Sequence, residues 1–149
     1  MTQNDGNRSQ TLDKPKVLLI QQHLPTAMSL VALLTQGGCD VKVATDGKGA
    51  MNIAQEGGFD LIALDPDLPE SGFETFLHLR GVPALSAIPI IFIARRFDDA
   101  SWRRGLEMGA ADYIEKPLDG TAFMRRILSH IKRPRHDLAG IASKSLNGW

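Results

Sequence analysis

Apolar and polar positions alternate in blocks along the chain. Val17–Ile20 is a continuous apolar run, the pattern of a strand covered on both faces. Pro25 can begin a helix. Ala27, Leu30, Val31 and Leu34 then share one face, and Gly37-Gly38 stops it. Val41–Ala44 reads as a second strand, followed by a turn at Asp46-Gly47 and a helix carrying Ala50, Ile53 and Ala54. Leu61–Leu64 is a third strand, and Phe73, Phe76, Leu77 and Arg80 mark a third helix. Ile90–Ala94 is a fourth strand. The helix after it covers about Asp98 to Met108 and ends at Gly109. Tyr113-Ile114 is a fifth strand. Phe123, Ile127 and Ile131 lie four apart on a fifth helix that stops before Pro134.

Five β–α units in series predict a doubly wound parallel sheet with helices on both faces. So short a chain favours the compact flavodoxin-like (βα)5 order, 2-1-3-4-5. The foldable region is expected over residues 15–133. Residues 1–14 read as a disordered polar lead-in, and 134–149 as a tail or shortened linker.

Composition narrows the function classes. The chain has 149 residues, with Lys plus Arg and Asp plus Glu both at 17, so no global basic field points to nucleic acid or an anionic membrane. The single cysteine, Cys39, has no partner for an internal disulfide or a cysteine zinc site, which fits a reducing compartment. No apolar run approaches the ~20 residues of a membrane span. A soluble cytoplasmic protein is expected.

In a doubly wound sheet the site lies beyond the carboxyl ends of the strands, where strand order reverses, here between the first and third strands. The residues just past each strand are therefore the candidates. After the first come Gln21, Gln22 and His23; after the third, Asp65, Pro66 and Asp67; after the fourth strand's last residue, Ala94, come Arg95 and Arg96; after the fifth, Lys116-Pro117. An acid at the end of the central strand and a lysine two strands away converge on one crevice. His23 has no partner at metal-ligand spacing and reads as a loop residue. No Gly-rich phosphate loop follows the first strand, which argues against a nucleotide there.

The strand KVLLI, the segments FDLIALDPDLP (59–69) and PIIFIA (89–94), and RGLEMGAADYIEKP (104–117) resemble the receiver domains of two-component response regulators. The resemblance covers roughly residues 15 to 133, and the spacing from Ala94 to Lys116 matches as well. It implies that Asp65 sits at the phosphoacceptor position and Lys116 at that of the lysine contacting the phosphoryl group. It also implies that Asp67 offers a backbone carbonyl, and it allows a cis Lys116-Pro117 bond.

Against that pattern the chain departs in three places. Gln21 and Gln22 occupy the seats of the family's acidic pair, which helps to hold Mg²⁺, a hard cation that prefers charged oxygens. Ala94 stands where the family has a Ser or Thr hydroxyl that bonds the phosphoryl group and moves with it. The loop after Pro69 is one residue short. Weak or absent Mg²⁺ binding is therefore expected, with no other metal or cofactor. Without metal, Asp65 and Lys116 are expected to neutralise each other, with Gln21 and Gln22 closing a hydrogen-bonded network around them. Arg95 and Arg96 add positive charge at the same mouth, as solvated loop residues, as a replacement for the cation's charge, or for an anionic ligand.

These readings imply a degenerate receiver: no enzyme, but a signalling and protein-interaction module with impaired Mg²⁺-dependent phosphorylation. The alternative is a working phosphoacceptor, phosphorylated on Asp65 by a histidine kinase in a phosphorelay. Partners are then a histidine kinase, another pathway protein or a second copy of the chain, with no nucleic acid and no membrane. By resemblance, the contact face comprises Trp102 and Leu106 on the fourth helix, Tyr113, and Arg126 on the fifth. Trp102 as core is the competing reading. Ser101 and Gly105 are expected to let the fourth helix sit close to the sheet.

Overall fold

The computed structural model describes residues 14–116 and 119–131. The expected lead-in apart from Lys14, Pro117 of the Lys116-Pro117 bond, and the tail from Pro134 lie outside the described residues. The strands are β1 Lys16–Ile20, β2 Asp40–Ala44, β3 Leu61–Leu64, β4 Ile90–Ala94 and β5 Asp112–Glu115. They form one parallel sheet in the order β2-β1-β3-β4-β5, the flavodoxin-like arrangement. The helices are α1 Leu24–Gln36, α2 Gly47–Ala54, α3 Gly72–Arg80, α4 Asp99–Glu107 and α5 Gly120–Ser129.

Strand side chains alternate between the two faces, and this period divides the core. Leu18, Ile20, Ile62, Leu64 and Phe92 pack with α2 and α3. Val17, Leu19, Leu61, Ala63, Ile91 and Ile93 pack with Leu30 and Leu34 of α1 and with Phe123 and Ile127 of α5. The first face is aromatic. Phe73, Phe76 and Tyr113 surround Phe92, with ring centroids 5.0, 5.6 and 5.7 Å from it. On α4, Gly105 is the buried residue; a Cβ there would lie 3.0 Å from the Phe92 ring and 3.1 Å from that of Tyr113. The small residue lets α4 approach the sheet, as its place on the helix predicts.

Local chemistry shifts some expected boundaries. His23 is not a plain loop residue: its Nδ1 accepts the Thr26 N–H (3.3 Å) and caps α1. The imidazole lone pair does there what a Ser or Asp oxygen usually does. Asp46 caps α2 through Gly49 N–H (2.7 Å), and Asp119 caps α5 through Ala122 N–H (3.0 Å). Helix α5 ends at Ser129 rather than running through Ile131, which still packs against the core from beyond the cap. A short 3-10 turn at Pro83–Leu85 also escapes the periodic pattern, because Pro83 starts it and three residues carry no period.

Candidate functional site

Ladder hydrogen bonds carry past the strand ends and set the candidate residues side by side. Asp65 N–H donates to Ile20 O (3.0 Å), Gln21 N–H to Ala44 O (2.9 Å), and Lys116 N–H to Ala94 O (2.8 Å). Gln21, Asp65, Ala94 and Lys116 thus follow one another across β1, β3, β4 and β5 at one edge of the sheet.

Asp65 is held tightly. It is 3% exposed, and its Oδ1 accepts the Asp67 N–H (2.9 Å). Helix α3 begins directly behind it, where Gly72 N–H donates to Pro66 O (3.1 Å). A Cβ on Gly72 would lie 2.2 Å from the Asp65 carbonyl oxygen, so only glycine fits. In the loop after Pro69, Ser71 takes an unusual backbone conformation. Its φ of 77° is the one positive value at a non-glycine among the described residues, a conformation that costs an L-residue energy. Its Oγ accepts the Phe73 N–H and caps α3. The neighbouring Glu70 carboxylate accepts the Gly47 N–H at the start of α2, tying the loop to the next helix.

The expected Asp65–Lys116 pair is not formed: among the described residues no hydrogen bond or ion pair joins the two. Burial lowers the Lys116 ammonium from its ordinary pKa. Burial also raises the Asp65 carboxyl. The Asp67 charge adds to that rise, while the Asp67 N–H, Arg95 and His23 oppose it. The expected glutamine network is absent as well. Gln21 is buried, and its Oε1 accepts the His23 N–H (2.9 Å), which turns the chain into α1. Gln22 is exposed. The two amides therefore do not face the mouth together. Ala94 is 1% exposed and brings no hydroxyl.

The donors at the mouth differ from the family's acidic set. Octahedral Mg²⁺ is held through carboxylates and water. Asp65 and Asp67 supply carboxylates, the neutral Gln21 carbonyl oxygen accepts the His23 N–H, and no group of three His, Cys, Asp or Glu among the described residues converges as a metal set.

Arg95, Arg96 and Asp67 line a cavity of about 420 Å³ beside Asp65. A second cavity, of about 360 Å³, adjoins it and is lined by Asp67, Arg96, Phe97, Asp98, Ser101 and Tyr113. Beyond it the expected contact face divides. Trp102 and Leu106 are exposed, at 36% and 39%, and the Trp102 ring lies 6.2 Å from that of Phe97. Trp102 is therefore not core. Tyr113 is: at 6% exposure it belongs to the ring cluster under α4, and burial raises its hydroxyl pKa. Arg126 is engaged within the chain. Its Nε lies 3.1 Å from Asp112 Oδ2, a second guanidinium nitrogen bonds Oδ1, and His130 Nε2 sits 2.9 Å from the same carboxylate. Burial opposes ionisation of Asp112, but Arg126, His130 and the Tyr113 N–H outweigh it and lower the carboxyl pKa. Phe97, Asp112 and His130 were not among the sequence candidates. Asp112 and Arg126 lie fourteen residues apart, and spacing alone does not reveal a strand-to-helix pair.

The model of the response regulator receiver domain family matches residues 17–128. The chain belongs to that family. Among curated relatives it is similar to the transcriptional regulatory protein AfsQ1 of Streptomyces coelicolor, at 33% identity over 129 residues, covering 87% of this chain and 56% of that one. It is also similar to the sensory transduction protein RegX3 of Mycobacterium tuberculosis, at 33% identity over 122 residues, covering 81% and 52%. The receiver thus spans about half the length of the curated relatives it matches. Among solved structures, the non-phosphorylated HemR receiver domain of Leptospira biflexa matches with a TM-score of 0.71 at 28% identity, covering 82% of this chain and 99% of that one. A response regulator structure from Chloroflexus aurantiacus, at 24% identity and a TM-score of 0.76, covers 81% and 100% and supports the fold alone. No helix among the described residues of this receiver is long and apolar enough to cross a membrane.

Proposed function

We propose that this receiver is a degenerate one, a protein-interaction module of two-component signalling whose Mg²⁺-dependent phosphorylation is impaired. One observation carries the reading: the residue at the end of β1 is a buried glutamine whose Oε1 is committed to the His23 N–H, while Gln22 faces solvent. The two positions beside Asp65 that the family fills with acids then bring neutral amides and no charge for a cation, and Ala94 has no hydroxyl to follow a phosphoryl group. The module turns over no substrate. It signals through protein contacts, and the exposed Phe97, Trp102 and Leu106 are its apolar contact residues. Its partner is a histidine kinase, another pathway protein or a second copy.

The test is incubation with acetyl phosphate and Mg²⁺, followed by intact-mass measurement. The wild type is expected to remain unmodified. The triple variant Gln21→Asp, Gln22→Asp, Ala94→Thr is expected to gain one phosphoryl group on Asp65. Stoichiometric modification of the wild type would instead favour the working phosphoacceptor. That second reading has one observation behind it: Asp65 remains buried at the strand end, with Oδ1 oriented by a backbone N–H.

A further inference from the structure

The rim beside Asp65 presents more positive charge than it neutralises. Arg95 and Arg96 follow β4 and are both exposed. Among the described residues the ion pairs are Lys16–Glu56, Arg103–Asp99, Arg126–Asp112 and His130–Asp112. Neither rim arginine takes part in these, and among the described residues neither makes a hydrogen bond with its side chain. Both nevertheless line one cavity, with the Asp67 side chain as its acidic member. Among the described residues no ion pair joins Asp67 to either guanidinium. The Asp67 amide N–H is already spent on Asp65 Oδ1. Arg95 lines the cavity beside Asp65, and its charge lowers the Asp65 carboxyl pKa against the rise from burial.

From this geometry we infer that Arg95 and Arg96 form a metal-independent oxyanion site for a phosphate group. This inference rests on the reading that no cation occupies the mouth. Two guanidinium groups against one carboxylate leave a net positive cavity. Guanidinium presents a planar fork of donors matched to tetrahedral and planar oxyanions. A volume of about 420 Å³ falls toward the small end of ligand cavities, and so suits a compact anion. The Asp67 carboxylate, which opposes an anion by charge, can accept a hydrogen bond from a singly protonated phosphate. Free phosphate and a phosphate monoester share this chemistry.

The test uses the full chain with a chelator present and ionic strength held constant with chloride. Amide shifts are followed by NMR while inorganic phosphate is added in one arm and O-phosphoserine in the other. Saturable shifts are expected at Asp67, Arg95 and Arg96 in at least one arm, and the tighter arm identifies the source. The double variant Arg95→Gln, Arg96→Gln is expected to weaken that binding at least ~10-fold, with the rest of the spectrum unchanged because both side chains are exposed. Shifts no larger than those from chloride, or saturation that persists in the double variant, overturn the site. A Mg²⁺ titration of a second sample, free of chelator and phosphate, reports separately on the degenerate-receiver reading, so failure of one is distinguishable from failure of the other.

Discussion

The two sides of the mouth are built in opposite ways. On the β1–β3 side the polar groups are tied down: Gln21 Oε1 to the His23 N–H, Asp65 Oδ1 to the Asp67 N–H, and Glu70 to the Gly47 N–H. On the β4 side Arg95, Arg96, Phe97 and Trp102 stand exposed, and the two arginines have no carboxylate partner among the described residues. The contrast separates frame from chemistry. Backbone constraints keep the turn around Asp65 even where the neighbouring side chains differ from the family's acidic pair. The capacity to bind lies on the side where groups remain unspent.

The largest effect is expected from breaking the tied side. Gly72→Ala would place a Cβ 2.2 Å from the Asp65 carbonyl oxygen and 2.7 Å from Pro66 Cα. Both are backbone atoms and cannot step aside cheaply. A loss of ~3 kcal/mol or more is expected in denaturant unfolding; a loss under ~1 kcal/mol would show that this loop is not rigid.

The open side should respond differently. Trp102→Ala is expected to weaken self-association or partner binding by ~2 kcal/mol, with stability changed by no more than ~0.5 kcal/mol, because the ring is exposed and touches Phe97. A stability loss of ~3 kcal/mol instead would return Trp102 to the core.

A smaller and pH-dependent effect distinguishes the unpaired Asp65 from the expected ion pair. Burial raises its folded pKa, so its stabilising contribution is complete below the unfolded value of about 3.9 and is lost as pH rises through the folded one. Asp65→Asn keeps the acceptor for the Asp67 N–H and removes the ionisation cost. The variant is expected to be more stable than wild type at neutral pH, with the gain shrinking as pH falls through the carboxylate range. Destabilisation at neutral pH would restore the salt bridge to Lys116.

The smallest effect lies on β5 and α5. Arg126→Ala is expected to cost ~0.5 kcal/mol, since the pair with Asp112 is partly solvated. Asp112 has a lowered folded pKa. Its contribution is therefore present above the unfolded value and disappears as pH falls through the folded one. Equal losses at neutral pH and well below the folded pKa in thermal unfolding would contradict that assignment.

The strand order and the strand ends were legible in the sequence because apolar runs such as Val17–Ile20 and Ile90–Ala94 report burial directly. Strand ends in a parallel sheet also place Asp65 and Lys116 at one edge. Direction and distance were not legible. Spacing cannot tell that Lys116 stays apart from Asp65, or that Gln21 bonds its own turn. Tyr113 was placed on the contact face although it belongs to the Phe92 cluster; its alternation with Asp112 on a strand that packs under Gly105 settles its side only once α4 is in place. The His23 cap escaped notice because imidazole is a rare helix cap.

The proposed degenerate receiver requires a mouth that binds Mg²⁺ weakly or not at all. The direct measurement is an NMR titration of the metal-free chain with millimolar Mg²⁺, then beryllofluoride, following the amides of Asp65 to Asp67. The degenerate receiver is expected to show no saturable shift with either. Saturable Mg²⁺-dependent shifts at Asp65 and Asp67, reinforced by beryllofluoride, would contradict it.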